Sequence, residues 1–170
     1  MTPRPIASVR SIAFFAALLS ACSLLPLSPT PTIPVSVPAD FHVTIERGPC
    51  FGACPVYNLT VGADGSVEYE GIQFVSAEGV RTTRLSQDEV KALVAAVVAA
   101  DFFQLADRYE VQVTDLPSVN TTVTMDGRTK AVYHYGLGCG TEYDEAPQAL
   151  CDLEALLEDI PLANEWVSAP

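Results

Sequence analysis

Hydrophobic and polar residues alternate with a period of two in several short segments of the chain, the spacing of β-strands that bury one face. The first three such segments are residues 41–45, 56–61 and 66–70. Asp64-Gly65 lies between the second and third segments. This dipeptide predicts a tight hairpin, because glycine accepts the positive φ angle that such a turn requires.

A second hairpin of the same kind is predicted later in the chain. Its strands are residues 119–125 and 129–135, and Asp126-Gly127 is the turn. Residues 79–85 are expected to add one short strand, and residues 109–116 are expected to form a loop. The alternation therefore predicts an antiparallel sheet of about five to six strands, built from two Asp-Gly hairpins.

After the predicted short strand, the spacing of the apolar residues changes to that of a helix. Ser86 is followed three residues later by Glu89, which is the spacing of a capping box. Apolar residues then recur on one helical face at Val90, Leu93, Val94, Val97 and Val98. We expect this helix to end near Ala100. The apolar residues after it are expected to fill the core: Phe102, Phe103 and Leu105.

A second helix is predicted after a glycine-rich loop at residues 136–140. Pro147 is placed in its first turn, Asp144 is the candidate cap, and Pro161 is expected to end it. Its apolar stripe is Leu150, Leu153, Leu157 and Ile160. Two amphipathic helices covering one face of a hairpin-built sheet predict a two-layer α+β fold. Residues 41–168 suffice for a single such globular domain.

The first 40 residues follow neither period and are predicted to target and tether the domain. Arg4 and Arg10 frame the start of a short apolar run, and small residues then lead to Cys22, as in a secretory signal. Leu19-Ser20-Ala21-Cys22 resembles the lipobox of bacterial lipoproteins. That resemblance implies removal of residues 1–21 as a signal peptide and lipidation of Cys22. The alternative is an ordinary signal peptide cut nearby, with Cys22 a spare thiol.

Residues 22–40 follow the predicted cleavage position and are rich in proline: Pro26, Pro29, Pro31, Pro34 and Pro38. An extended, semi-rigid tether is expected, reaching roughly 50 Å at about 3.1 Å per residue. The lipobox resemblance, with Ser23 after Cys22, implies an outer-membrane lipoprotein. The domain is then expected to face the periplasm of a bacterial cell envelope.

The charge balance limits the kinds of partner. The chain has 9 Lys+Arg and 21 Asp+Glu, a net charge of −12. Removal of residues 1–21 takes away Arg4 and Arg10, which leaves a net charge of −14. Such acidity argues against nucleic acid and against electrostatic adhesion to anionic lipid. We expect membrane contact through the lipid anchor alone, and an envelope protein or ligand as partner.

The remaining candidate chemistry comes from four cysteines: Cys50, Cys54, Cys139 and Cys151. Four cysteines allow three pairings, and the sequence does not choose among them. Cys50 and Cys54 are spaced so that one turn can bring their α-carbons within disulfide distance. A bridge between Cys139 and Cys151 would attach the glycine-rich loop to the second helix. An oxidising envelope favours structural disulfides.

Copper binding is the alternative at the first cysteine pair. Cys50-x-x-x-Cys54-Pro55 is similar to the motif of the Sco family of membrane-anchored copper chaperones. That resemblance implies Cys50, Cys54 and His134 as ligands of Cu(I), and thiol–disulfide exchange is the only enzymatic activity kept open. A helix begins at the motif in Sco proteins, which helps to make a thiol reactive. Here Pro55 leads into an alternating strand.

Other catalytic motifs are missing from the sequence. It contains no His-Glu-x-x-His, no Gly-x-Ser-x-Gly and no phosphate-binding loop. Three acidic pairs near helix ends are expected to be solvated faces and caps: Asp88/Glu89, Asp144/Glu145 and Glu158/Asp159. His134 is expected on a sheet face. The sequence thus predicts a non-enzymatic binding or structural module without metal or cofactor, apart from the covalent lipid.

Several segments together resemble one bacterial family, a domain of unknown function that often occurs in lipoproteins. These segments are Cys50-Phe51-Gly52-Ala53-Cys54-Pro55-Val56-Tyr57, Asp64-Gly65, Tyr69-Glu70-Gly71, Tyr109, Thr114-Asp115-Leu116-Pro117, Tyr133-His134-Tyr135 and Glu165-Trp166. The resemblance spans roughly residues 41–167 and implies no activity. Cys139 and Cys151 lie outside the usual pattern of the family. The resemblance therefore implies that they pair with each other, which leaves Cys50 to pair with Cys54.

Overall fold

A computed structural model describes residues 36–168. The predicted signal peptide, the lipidation site at Cys22 and most of the tether lie outside the described residues. Within residues 36–168, no helix is both long and apolar enough to cross a membrane.

A seven-stranded sheet forms one layer of the domain. Its strands are β1 (His42–Arg47), β2 (Val56–Gly62), β3 (Ser66–Gln73), β4 (Gly79–Arg84), β5 (Arg108–Glu110), β6 (Ser118–Met125) and β7 (Arg128–Tyr135). They are ordered β4-β3-β2-β1-β6-β7-β5. All neighbours are antiparallel except β5 and β7. The helices are α1 (Gln87–Ala99) and α2 (Gln148–Ala163), with a short 3₁₀ helix at Phe102–Gln104.

Both Asp-Gly hairpins are present, which confirms the pattern that predicted them. Gly65 has a φ angle of +82°, and Asp126 and Gly127 have φ angles of +52° and +70°. A Cβ atom at Gly65 would lie 2.4 Å from the carbonyl oxygen of Leu85. Glycine is therefore needed at this turn for both its backbone angle and its small size.

The core lies between one sheet face and the two helices. The sheet contributes alternate residues that are almost completely buried, including Val43, Ile45, Leu59, Val61, Tyr69 and Val123. The helices contribute Val90, Leu93, Val94, Val97, Leu150, Leu153 and Leu157. Phe102 is also buried, and Phe103 and Leu105 pack partly against the core. The predicted two-layer α+β fold is confirmed.

The strand count is higher than predicted because part of the expected loop at residues 109–116 is a strand. Arg108–Glu110 forms β5, and Tyr109 pairs with His134 of β7 in a parallel register. A three-residue strand is too short to show a period of two, so the alternation did not reveal it.

The two helices differ in how well their ends were predicted. The capping box of α1 is confirmed: Ser86 Oγ accepts a hydrogen bond from Glu89 N, and the Glu89 carboxylate accepts one from Ser86 N. Helix α2 does not end at Pro161 but continues to Ala163. Proline removes a single backbone donor near the end of this helix, and the Pro161 carbonyl accepts a hydrogen bond from Trp166 N.

The last residues of the predicted tether contact the domain. Val37 packs against the core, and Phe41 N donates to the carbonyl of Pro38. The carboxylate of Asp40 accepts hydrogen bonds from the amides of Asp126 and Gly127, at 3.1 and 2.7 Å. These bonds attach the start of the domain to the β6–β7 hairpin.

Candidate functional site

The loop between β1 and β2, residues 48–55, is closed by a disulfide and is called the clamp loop below. Cys50 and Cys54 are bonded, with their α-carbons 5.7 Å apart. Two backbone hydrogen bonds hold the loop to the segment that enters β6: Gly48 N to Ser118 O at 2.8 Å, and Phe51 N to Asp115 O at 3.1 Å. The clamp loop is therefore fixed both by its own disulfide and by its neighbour.

The clamp loop presents a large apolar side chain to solvent. Phe51 is 89% exposed, the most of any large hydrophobic residue that the structure describes. A concavity of about 490 Å³ adjoins the loop, and its lining includes Pro55, Tyr57, Phe74 and Leu137. Phe74 and Leu137 are 51% and 52% exposed. Phe51 and this concavity are together called the clamp surface.

Phe74 on the clamp surface has an unusual backbone. Its φ angle is +55°, in the left-handed region that bulky residues rarely adopt. Such a conformation costs on the order of 1 kcal/mol and persists only where the surrounding structure imposes it. The fold thus holds a half-exposed aromatic residue beside the concavity under strain.

Segments that are far apart in the sequence meet behind the clamp loop. The carbonyl of Asp115 accepts from Phe51 N, and the next residue, Leu116, donates its amide to Tyr135 Oη at 3.1 Å. These residues belong to three of the segments that carry the family resemblance. In this structure their hydrogen bonds connect the clamp loop to the segment before β6, and that segment to β7.

A second region, on the core side of the sheet, contains buried charges and is called the His134 cluster. His134 Nδ1 lies 2.8 Å from Glu154 Oε2 of α2, and His134 Nε2 lies 3.0 Å from Asp144 Oδ1. The side chains of His134 and Asp144 are each only 4% exposed. Thr121 Oγ1 donates to the other carboxylate oxygen of Glu154 at 3.1 Å. Among the described residues, every buried side-chain polar atom has a hydrogen-bond partner.

The electrostatics of the cluster favour a charged imidazole. Burial disfavours the cation, but hydrogen bonds and charges from Glu154 and Asp144 outweigh it and raise the pKa of His134 above its usual 6.5. The protonated ring donates to both carboxylates. Both ring nitrogens are thereby occupied, and no hydroxyl or thiol of the described chain is hydrogen-bonded to His134 as a nucleophile would be.

An ion pair between Arg47 of β1 and Glu158 of α2 adjoins the cluster. Both residues line a small cavity of about 140 Å³ together with His134 and Glu154. Burial raises the pKa of Glu158, and the Arg47 guanidinium opposes that rise. Burial, with a contribution from the Glu158 charge, also raises the pKa of Tyr57.

The second disulfide covers the His134 cluster. Cys139 and Cys151 are bonded with their α-carbons 5.7 Å apart, which attaches the loop at residues 136–147 to α2. Potential ligand atoms of Cys139, Asp144 and Cys151 all lie within 4.8 Å of one another, and so do those of His134, Cys139 and Glu154. Both disulfide pairs implied by the family resemblance are thus found.

The three residues of the copper alternative do not form one of the ligand groups found in residues 36–168, and copper binding there stays a prediction. His134 groups with Cys139 and Glu154, whereas no cluster of three ligand atoms within residues 36–168 joins it to Cys50 and Cys54. Those two cysteines form the clamp disulfide.

Two acidic residues were misplaced by the sequence reasoning. Asp144 was expected to cap α2 and Glu158 to be solvated, yet Asp144 faces His134 and Glu158 pairs with Arg47. The carboxylate of Asp144 accepts from Ala146 N, before the helix begins. Glu154 was not considered at all. The sequence did contain an indication that Glu154 is buried, because residue 154 falls on the apolar face of α2 marked by Leu150 and Leu157.

Comparison with known families gives one match. The family described as Domain of unknown function (DUF6438) matches residues 41–161. This range contains both disulfides, the clamp loop and the His134 cluster, and it stops before Trp166, whose ring packs 5.0 Å from that of Tyr69. No curated protein matches the chain.

Proposed function

The chain belongs to the DUF6438 family of domains of unknown function, and from that premise we propose that it is a non-enzymatic binding module that holds a protein partner on its clamp surface. The proposed setting is the bacterial cell envelope, where a lipid anchor at Cys22 would retain the domain.

The exposure of Phe51 is the observation that carries this proposal. A phenylalanine side chain offers about 150–250 Å² of surface, and leaving it in water forfeits roughly 25 cal/mol for each Å² that a core would bury. The disulfide and the bond to Asp115 O hold Phe51 outward in a fixed loop. Rigid aromatic anchors beside a pocket are typical of the residues that dominate binding energy.

The charge of the chain defines the chemistry of the partner. A mature net charge of −14 repels a second copy of the chain and anionic lipid alike. A protein with an apolar contact residue surrounded by lysine or arginine would be complementary to the apolar clamp surface and to the net negative charge of the chain. We therefore commit to a basic envelope protein as the partner.

The sequence of residues 1–40 supports the proposed location. Its lipobox-like segment ends at Cys22, and its proline-rich tether would hold the domain away from the bilayer. Replacing Cys22 with serine should abolish fatty-acid labelling and release the protein from outer membranes. Unchanged labelling and membrane retention of the Cys22→Ser variant would contradict the lipid anchor, without affecting the proposal for the clamp surface.

Binding is tested by photo-crosslinking followed by affinity measurement. A benzophenone amino acid is placed at position 51 in cells, and at position 98 as a control, because Val98 is an apolar α1 residue that is 61% exposed. A protein crosslinked from position 51 alone is purified and titrated with the wild-type domain and with Phe51→Ala. We expect Phe51→Ala to weaken binding by about 10- to 100-fold, as truncation of an aromatic anchor does.

Two results would overturn the proposal. One is a crosslinking pattern that is the same from positions 51 and 98. The other is a partner that binds Phe51→Ala as tightly as it binds the wild type. Val98→Ala is the matched control and should leave the affinity unchanged.

A further inference from the structure

Four side chains with metal-binding atoms converge under the loop at residues 136–147. We propose that Cys139, Cys151, His134 and Asp144 form a zinc site when the Cys139–Cys151 disulfide is reduced. This site is separate from the clamp surface, and it uses neither Cys50 nor Cys54.

The four proposed ligands fall into two close groups that share Cys139, although no single group within 4.8 Å contains all four. The ligand atoms of Cys139, Asp144 and Cys151 already lie within 4.8 Å of one another, and His134 Nε2 is 3.0 Å from Asp144 Oδ1. Zinc binds thiolate sulfur at about 2.3 Å and imidazole nitrogen at about 2.0–2.1 Å, so two sulfurs on one ion stand about 3.8 Å apart. The two sulfurs are about 2.0 Å apart in a disulfide. For the site to form, they must therefore move apart by about 1.8 Å.

The loop permits that separation. Cys139 is exposed and lies between Gly138 and Gly140, whose φ angles are +101° and +80°, while Cys151 is 3% exposed and fixed on α2. Glycines on both sides let Cys139 move while the buried ligand stays in place.

The surroundings of His134 match those of a zinc-bound histidine. Histidine ligands of zinc commonly donate their second ring nitrogen to a carboxylate, which fixes the ring and its tautomer. Glu154 is in that position at 2.8 Å from Nδ1, and Thr121 holds Glu154 in turn. The Asp144 carboxylate is itself oriented by the amide of Ala146. Two thiolates, one imidazole and one carboxylate form a donor set that suits Zn²⁺.

Reduction proceeds by thiol–disulfide exchange with a dithiol reductant. One thiolate of the reductant attacks the exposed Cys139 sulfur, the S–S bond breaks, and the Cys151 sulfur leaves and takes up a proton. The second thiol of the reductant then displaces Cys139 as a thiol and closes the reductant's own disulfide. The protein gains two electrons and two protons. Zn²⁺ then displaces the protons of the two thiols and the Nε2 proton of His134, while Nδ1–H still donates to Glu154. The oxidised form has no thiolate and is not expected to bind zinc.

Two triple variants isolate the site. Each carries Cys22→Ser, so that only one cysteine pair remains: Cys50→Ser with Cys54→Ser keeps the proposed site, and Cys139→Ser with Cys151→Ser removes it. Each protein is reduced with a phosphine, the phosphine is removed, and Co²⁺ is added as a spectroscopic probe before competition with Zn²⁺.

We expect the variant that keeps Cys139 and Cys151 to bind one Co²⁺ with tetrahedral d–d bands and thiolate charge-transfer bands. The variant without them should show neither, and reoxidation should remove the signal. Glu154→Gln should weaken affinity by about 10- to 100-fold, the usual effect of losing such a supporting group. Asp144→Asn should weaken it at least as much.

Circular dichroism shows whether each reduced protein is folded, so that every result decides. If the reduced protein is unfolded and folds when Zn²⁺ is added, the proposal is supported. Zn²⁺ binding to a reduced protein that is already folded supports it equally. Reduced protein that keeps Cys139 and Cys151 but binds no metal, whether folded or unfolded, overturns it. Metal binding that depends on Cys50 and Cys54 instead of Cys139 and Cys151 also overturns it and would place the metal site at the clamp loop.

Discussion

The clamp loop and the His134 cluster are both closed by a disulfide, but the residues that they enclose are opposite in character. The clamp loop turns Phe51 outward into solvent, whereas the Cys139–Cys151 bridge covers a histidine and two carboxylates that are almost fully buried. The Phe51 side chain is 89% exposed and therefore adds little buried apolar surface to this domain. A buried, fully paired charge cluster is costly to break. This difference supports the proposal that the first region binds a partner, and it predicts that the second region stabilises the domain.

The largest effect on stability is expected from the centre of the buried cluster. His134→Ala would leave Glu154 and Asp144 buried without their shared partner. Breaking a buried ion pair in this way costs about 3–5 kcal/mol, which lowers the melting temperature of a domain of this size by roughly 10–20 °C. His42→Ala is the control, because His42 lies in the same sheet but is exposed. A loss below about 1 kcal/mol would show that the cluster is not a stabilising unit.

The two disulfides are expected to stabilise the domain by different amounts. Loop closure alone predicts about 2 kcal/mol for the bridge between Cys50 and Cys54 and about 3 kcal/mol for the bridge between Cys139 and Cys151. Replacing the second pair with serine also uncovers the His134 cluster, so its loss should exceed the first. Urea unfolding of the two double variants measures both. A greater loss of stability in the variant without Cys50 and Cys54 would contradict the expectation that the His134 cluster is the more stabilising region.

The pH dependence of stability is expected to arise from the His134 cluster. A protonated His134 faces Glu154 and Glu158 from α2, Asp144 from the loop, and Arg47 from β1. Its pKa is raised above 6.5 in the folded protein. The stability from this group is therefore complete below pH 6.5 and is lost as the pH rises through the folded-state pKa, by up to about 1.4 kcal/mol per pH unit.

Urea unfolding of the oxidised protein with EDTA, between about pH 6 and pH 9, tests this dependence. His134→Gln should remove the decline that the wild type shows. A decline of the same size in both proteins would show that another group titrates.

The smallest effect on stability is expected at Phe51, the most exposed large hydrophobic residue that the structure describes. Phe51→Ala should change the free energy of unfolding by no more than about 0.5 kcal/mol, since it removes no packed contact. Phe41→Ala, which empties a fully buried position, should cost about 3–5 kcal/mol. Thermal unfolding of the two variants, measured side by side, would contradict the account if Phe51→Ala also melted far below the wild type.

The sequence predicted the fold well where periodic patterns or turn residues determine it. The Asp-Gly hairpins, the capping box at Ser86 and the apolar face of α2 all appear as expected. The apolar face of α1 is narrower than predicted, because Val98 is 61% exposed whereas the other four predicted residues are buried. Strand β5 was missed because three residues cannot show a period. Pro161 did not end its helix, since one lost backbone bond near a helix end is tolerated.

The candidate sites were predicted less completely, for a physical reason. The cysteines of the clamp loop are neighbours in the sequence, so their spacing reveals them. The His134 cluster joins residues from β6, β7, a loop and α2. No local pattern encodes such a contact. The one available signal was a glutamate on the apolar face of α2, which needed a buried cation to pair with.

The central claim is that Phe51 serves binding and not folding, and one titration tests it most directly. The partner crosslinked from position 51 is titrated calorimetrically into wild type, Phe51→Ala and Val98→Ala, all shown to melt at the same temperature. The account predicts at least about a tenfold loss of affinity for Phe51→Ala, equivalent to about 1.4 kcal/mol, and none for Val98→Ala. Equal affinity for all three proteins would contradict it.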